Sequence, residues 1–197
     1  MSAFTWPPDA PLPPSSRNEI PAAVLVPLFL AETSGEPHVV LTRRRPDLRR
    51  HAGEISFPGG RRDPADASLR ETALREAEEE IGLPRAQATL LAELPATSTF
   101  ATRYLIHPFV ARIPAGVAWR LSPREVDAVL ELPLRALREG RRRTRMERRG
   151  FSFETDVYDV GEHRVWGATA RILELLLERL DPDAEGEQAL TPRSQPG

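Results

Sequence analysis

The chain contains no cysteine and no lysine. Without cysteine it forms neither disulfides nor thiolate metal sites, which leaves carboxylate and imidazole as the side-chain ligands for any metal. Without lysine, all 27 basic residues are arginine. That bias fits genome base composition, yet it matters locally, because a guanidinium fork suits phosphate oxygens better than an ammonium does. Long apolar runs are also missing. The longest, residues 22–31, is broken by Pro27 and falls short of the roughly 20 residues that span a bilayer, so no membrane partner is expected. The first residues show no basic start followed by an apolar stretch, so no secretory signal is expected; with the lack of cysteine, this fits a cytoplasmic protein. Neither sign of charge dominates: a net charge of −2 argues against whole-molecule steering onto nucleic acid.

What is present suits one domain with two tails. Residues 1–20 hold Pro7, Pro8, Pro11, Pro13 and Pro14 with almost no apolar period, and read as an extended tail. Residues 21–180 carry the domain. Residues 181–197 turn acidic and then Pro/Ser/Gly-rich, and read as a disordered end. Within the domain, strands are expected over residues 22–30, 38–42, 88–94, 104–113 and 153–160. A turn at Ser34-Gly35-Glu36-Pro37 separates the first two, and a hairpin turn at Gly161-Glu162-His163 follows the last. Helices are expected over 68–81 and 167–180, while 124–137 mixes signals around Pro133. Interleaved strands and helices predict a single layered α/β domain.

The densest chemistry lies in Arg75-Glu76-Ala77-Glu78-Glu79-Glu80-Ile81-Gly82-Leu83. At about 100° per residue, Glu76, Glu79 and Glu80 share one face, and Leu74, Ala77 and Ile81 lie opposite, where they can pack on a sheet. Arg75, four residues before Glu79, can pair with it. A solvated glutamate face is one reading. Against it, Gly82, Leu83 and Pro84 end the helix immediately, so the acids crowd the pole where the macrodipole is already negative. A hard divalent cation such as Mg²⁺ or Mn²⁺ would compensate them. Just upstream, Phe57-Pro58-Gly59-Gly60 predicts a tight bend whose glycines let backbone approach a ligand or metal, though such a pair is equally a plain loop.

Together these residues resemble the Nudix box, G-x5-E-x7-R-E-U-x-E-E-x-G-U with U aliphatic. Gly60 matches its opening, and Arg75, Glu76, Ala77, Glu79, Glu80, Gly82 and Leu83 match its closing half. The loop between is one residue longer, so that Asp63 or Asp66 must stand in for the isolated glutamate. Upstream, Val40-Leu41-Thr42, Arg44, Arg49, Gly53 and Phe57-Pro58-Gly59-Gly60 resemble the coenzyme A branch motif L-L-T-x-R-[S/A]-x3-R-x3-G-x3-F-P-G-G, with Arg45 in place of the small residue. The stretch from Val165 to Leu173 resembles a further segment of that branch.

This resemblance implies an α/β/α sandwich around a mixed sheet. It implies metal-dependent hydrolysis of the pyrophosphate of coenzyme A, a small-molecule nucleotide partner, to 3′,5′-ADP and 4′-phosphopantetheine. By the same resemblance Glu76, Glu79 and Glu80 would ligate Mg²⁺ or Mn²⁺, the Gly60 carbonyl would be a further ligand, and Arg75 would orient Glu79. Arg44 and Arg49, with Gly59 and Gly60, would hold the substrate. Glu125 is a candidate for an added acid recruited from a distant loop, beside the plainer reading of a surface glutamate starting a short helix. His51 is either a loop residue or a substrate contact. The run Arg141-Arg142-Arg143-Thr144-Arg145 with Arg148 and Arg149 reads as a solvated strand edge or loop before it reads as a nucleic-acid patch. ADP-ribose, a dinucleotide or a damaged nucleotide is the competing substrate class, and a non-catalytic binding module the competing type of protein.

Overall fold

The computed structural model describes residues 19–48, 52–99, 103–148, 151–180, 188 and 190. The expectations for Arg49, His51, Arg149, the proline-rich stretch and most of the C-terminal end therefore lie outside the described residues.

Eight strands form one mixed sheet: β1 (Ile20–Leu30), β2 (Pro37–Arg44), β3 (Ile55–Ser56), β4 (Gly59–Arg61), β5 (Thr89–Glu93), β6 (Thr97–Ser98), β7 (Tyr104–Arg112) and β8 (Val126–Pro133). The central order is β3-β2-β1-β7-β5, with β4 on β1, β6 on β7 and β8 on β2. Among the described residues, β1 and β7 run parallel and the other pairs of this sheet are antiparallel. The β1 sequence is a nearly unbroken apolar run because both its faces are covered. Val24, Val26 and Leu28 point into one core cluster, and Ala23 and Leu25, which alternate with the first two, point into the other.

Helix α1 (Leu69–Ile81) covers the second cluster with Ala73, Leu74, Ala77 and Ile81. Helix α3 (Gly167–Arg179) covers the first with Ala170, Ile172, Leu173, Leu176 and Leu177, joined by Leu134 and Leu137 of the short α2 (Leu134–Gly140). The result is the expected α/β/α sandwich. A separate antiparallel sheet, β11-β10-β9, is made by β9 (Arg141–Arg148), β10 (Phe151–Val160) and β11 (His163–Val165).

The ambiguous 124–137 segment resolves as strand then helix. Pro133 ends β8 and sits at the helix N-cap, where its missing N–H costs nothing. The expected bend falls at Pro58, after which Gly59 and Gly60 enter β4 opposite Val24 and Ala23. A side chain at Gly59 would collide with the Ala23 carbonyl oxygen and Val24 Cα, so the pairing demands glycine there. Within the C-terminal stretch expected to be disordered, Leu190 departs from that expectation: it is buried in the α3-side cluster.

Candidate active site

The acidic helix begins and ends as its sequence dictates. Ser68 caps α1, its Oγ accepting from Glu71 N at 3.2 Å. At the other end Gly82 adopts φ 71°, and the Gly82 and Leu83 amides return to Glu78 and Ala77. Two further carbonyls of the last turn are met from far along the chain. Arg120 N donates to Ile81 O at 3.0 Å and Ser122 N to Glu80 O at 2.8 Å, which pins the 120–125 loop against the acidic pole.

Arg75 is the hub on the exposed side. Its Nε and Nη2 donate to the two oxygens of Asp66 at 2.9 and 3.0 Å, its Nη1 to Glu79 Oε2 at 3.0 Å, and its Nη2 pairs with Glu76 Oε1 at 3.0 Å. Asp66 also accepts from Thr72 Oγ1 at 2.8 Å and from Asp63 N at 2.9 Å. Asp66 is thus a buried anchor for Arg75, whose hydrogen bonds hold the Asp66 carboxyl well below the usual carboxylate range against the opposing effect of burial. Asp63 caps the same loop, accepting from Ala65 N at 2.8 Å. Of the two aspartates considered for the displaced acidic position, Asp66 is the one wired to the helix.

The three glutamates share a face but not an environment. The Glu79 side chain is 59% exposed, whereas that of Glu76 is 17% exposed and Glu80 is buried. Burial pushes Glu80 up to about 8, the charge of Glu76 adds to the rise, and Arg44 opposes it. Burial raises Glu76 too, opposed by Arg75. The exposed Glu125 adds its charge to both groups. It lies in the turn before β8, not at a helix start. Among the described residues no three acids or histidines already stand close enough to hold an ion by themselves; Glu76 and Glu79 lean on Arg75, and Glu80 accepts from Gly59 N at 3.3 Å.

The donor set nevertheless fits Mg²⁺ or Mn²⁺. It is all oxygen, Glu80 is buried and Glu76 half-buried with their mutual repulsion only partly offset, and a Cβ on Gly60 would lie 2.5 Å from Glu76 Oε1. Glycine at 60 leaves the space beside that carboxylate open.

The neighbouring arginines divide sharply. Arg43 pairs with Asp127 at 2.8 Å. Arg45 clasps Asp47 through Nε and Nη2 at 2.8 and 2.7 Å, and its Nη1 donates to Pro123 O at 2.6 Å. Its backbone N also donates to Glu125 O at 3.0 Å. Arg45 is thus a strut holding the Glu125 loop, a role with no local sequence signal, since its partners lie 78 and 80 positions away. Arg44 differs: its Nε is buried with no hydrogen-bond partner, and its nearest acid is Glu125 at 3.9 Å. A buried guanidinium N–H in want of an acceptor, beside the acidic pole, is what an anionic ligand would satisfy.

The arginine run lies elsewhere, on β9. Arg141 pairs with Glu174 and Asp156, Arg142 with Asp159, and Arg143 with Glu154, while Arg145 donates to Ser152 Oγ at 2.8 Å. It is a paired strand edge.

A family model described as NUDIX domain matches residues 20–153. The uncharacterized Nudix hydrolase NudL of Photorhabdus laumondii is 37% identical over 174 residues, covering 86% of this chain and 91% of that protein. Its namesake from Salmonella paratyphi B is 41% identical over 164 residues, covering 82% and 83%. Among solved structures, a MutT/nudix family protein from Enterococcus faecalis aligns over 91% of this chain and 69% of its own with TM-score 0.56 at 13% identity. The M. smegmatis Nudix hydrolase RenU aligns over 61% and 74% with TM-score 0.52 at 20% identity. These last two bear on the fold alone.

Proposed function

Because this chain belongs to the Nudix family, we propose that it hydrolyses the pyrophosphate bond of coenzyme A or a close derivative, at the acidic end of α1. The observation that carries the reading is the pairing of the buried Glu80 and half-buried Glu76 with a glycine backbone at Gly60 and the unsatisfied Arg44 Nε. One side of this arrangement suits a cation and the other suits phosphate oxygen. The coenzyme A assignment rests on the sequence motif: Thr42 and Arg44 end β2, with Thr42 opposite Ser56 of β3, and Phe57 to Gly60 run on from there into β4.

Nudix hydrolases generally work with Mg²⁺ or Mn²⁺, which here would be held by Glu76, Glu79, Glu80 and the Gly60 carbonyl. When bound, the ion neutralises the pyrophosphate, lowers the pKa of a bound water and stabilises the leaving oxygen. The chain's own residues do the rest. Arg75, braced by Asp66, keeps Glu76 and Glu79 from drifting. Arg44 donates to a phosphate oxygen. A carboxylate of the site takes the proton of the attacking water as the phosphorus–oxygen bond to the leaving group breaks. Placement and electrostatics suffice for such a step.

The test is incubation with coenzyme A and Mg²⁺ or Mn²⁺, with products identified by chromatography and mass. Release of 3′,5′-ADP and 4′-phosphopantetheine supports the proposal. Intact coenzyme A with cleavage of ADP-ribose or a dinucleotide overturns the substrate and keeps the chemistry. No turnover of any of these favours a binding module.

A further inference from the structure

Strand β8 changes face part-way along. Ala128, Leu130 and Leu132 pack against the α3-side cluster, and Val129, between the first two, against the α1-side cluster, as the two-residue period of a strand requires. By that period Val126 belongs with the even-numbered set, yet it is buried in the α1-side cluster with Val129. The register gives the reason. Thr42 lies opposite Val129 and Arg43 opposite Ala128, but Arg44 lies opposite Val126, so Asp127 is an extra residue in the ladder. It forms a β-bulge. The shifted register persists beyond it, since Arg45 N donates to Glu125 O at 3.0 Å. Arg43 locks the extra residue, its Nε and Nη2 reaching one oxygen, Asp127 Oδ2, at 2.9 and 2.8 Å.

We propose that Asp127 is a positioning residue for the hydrolysis: the bulge it forms, locked by Arg43, brings the 122–125 turn and Glu125 onto the acidic pole of α1. A regular ladder would set Asp127 opposite Arg44 and turn Val126 to the α3 side. The turn ahead of the strand would then be displaced by one residue, about 3.3 Å. With the bulge in place, Ser122 ties the turn to the helix. Its N donates to Glu80 O at 2.8 Å, and its O accepts from Glu125 N at 3.2 Å and from Val126 N at 3.1 Å. Glu125 Oε2 then stands 3.9 Å from Arg44 Nη2. Bulges beside active sites re-aim side chains in this way. The inference rests on the hydrolase reading for what Glu125 does there, while the placement itself rests on the register and the packing.

The experiment uses the whole protein with Asp127 deleted, which restores a regular ladder; circular dichroism confirms that the variant folds. Amide hydrogen exchange of residues 119–126 is followed by mass spectrometry in the metal-free protein. Loss of the Ser122 bond to Glu80 should speed exchange there about tenfold or more, while β1 keeps the wild-type rate. In parallel, kcat is measured in a cycle with Glu125→Gln. The deletion should lower kcat about tenfold or more, and most of that loss should vanish in the Glu125→Gln background, because Asp127 acts through Glu125. A merely structural role would give losses that add. Unchanged exchange in the deletion variant, or additive losses, overturns the proposal. If the deletion variant does not fold, Asp127→Ala takes its place, keeping the chain length and removing the lock, with the same directions expected at about threefold. The two readings fail separately. Intact coenzyme A with faster exchange in the deletion variant sinks only the substrate assignment, and coenzyme A cleavage with unchanged exchange sinks only the role of Asp127.

Discussion

Two segments of this chain are dense in one sign of charge, and their structures are opposite. On β9, Arg141, Arg142 and Arg143 are exposed and each faces a carboxylate. Near the end of α1, Glu80 is buried and Glu76 half-buried beside it, with Glu125 adding a third negative charge and Arg44 and Arg75 opposing. Exposed ion pairs bring little stability and little chemistry. A buried cluster of like charge is held in place by the rest of the fold, at a cost in stability, and that is where function concentrates. Charge density alone did not separate the two segments; burial and unmet pairing do.

The largest effect should come from neutralising the buried acid. Glu80→Gln is expected to lower kcat at least about 10²-fold, while the metal-free protein keeps its stability near pH 7, where burial already favours the protonated, uncharged Glu80 carboxyl. Equal activity in the variant would erase the distinction between the two segments.

Asp66→Asn attacks the brace behind that cluster. It leaves Arg75 partly buried without its main partner and should cost about 2–3 kcal/mol in urea unfolding at pH 7. The sign of the pH dependence follows from the lowered pKa of Asp66. Its stabilisation is fully present above the ordinary carboxylate value near 4 and is lost as pH falls through that value toward the depressed one. The gap between wild type and variant should therefore begin to narrow below about pH 4 and go on narrowing as pH falls further. A gap that does not narrow there would assign the loss to packing instead.

Smaller still, Arg45→Ala should lower kcat by up to about tenfold by loosening the turn that presents Glu125. Arg45→Lys should fail to rescue it, since an ammonium cannot grip Asp47 and Pro123 O together. Rescue by lysine would mean that charge alone matters there. Smallest is Arg143→Ala on the hairpin, expected within about 0.5 kcal/mol and without effect on hydrolysis. A loss of activity would move function onto the arginine run.

Much of this was legible in the sequence where the signal is local. The cap Ser68, the left-handed Gly82 and the 3.6-residue period marked α1 to within a residue, and the apolar run of β1 marked the central strand. The site residues Arg75, Glu76, Glu79 and Glu80 came from spacing on that one helix. Strands β3, β4 and β6 did not, because two or three residues carry no period. Strand β8 was hidden by its charged residues and Pro133. The 120–125 loop reaches the helix through backbone amides, and Arg45 reaches Glu125 across most of the domain. Neither contact leaves a mark on neighbouring letters. Nor does composition reveal which of Arg43, Arg44 and Arg45 lacks a partner; only the surroundings of each guanidinium do.

The most direct test of the central claim is a calorimetric titration of Mn²⁺ into the wild type and Glu80→Gln, both stripped of metal. Saturable binding in the wild type, weakened about tenfold or more in the variant, is the predicted result. Equal affinity in the two proteins would contradict the assignment of the acidic helix as the catalytic metal site.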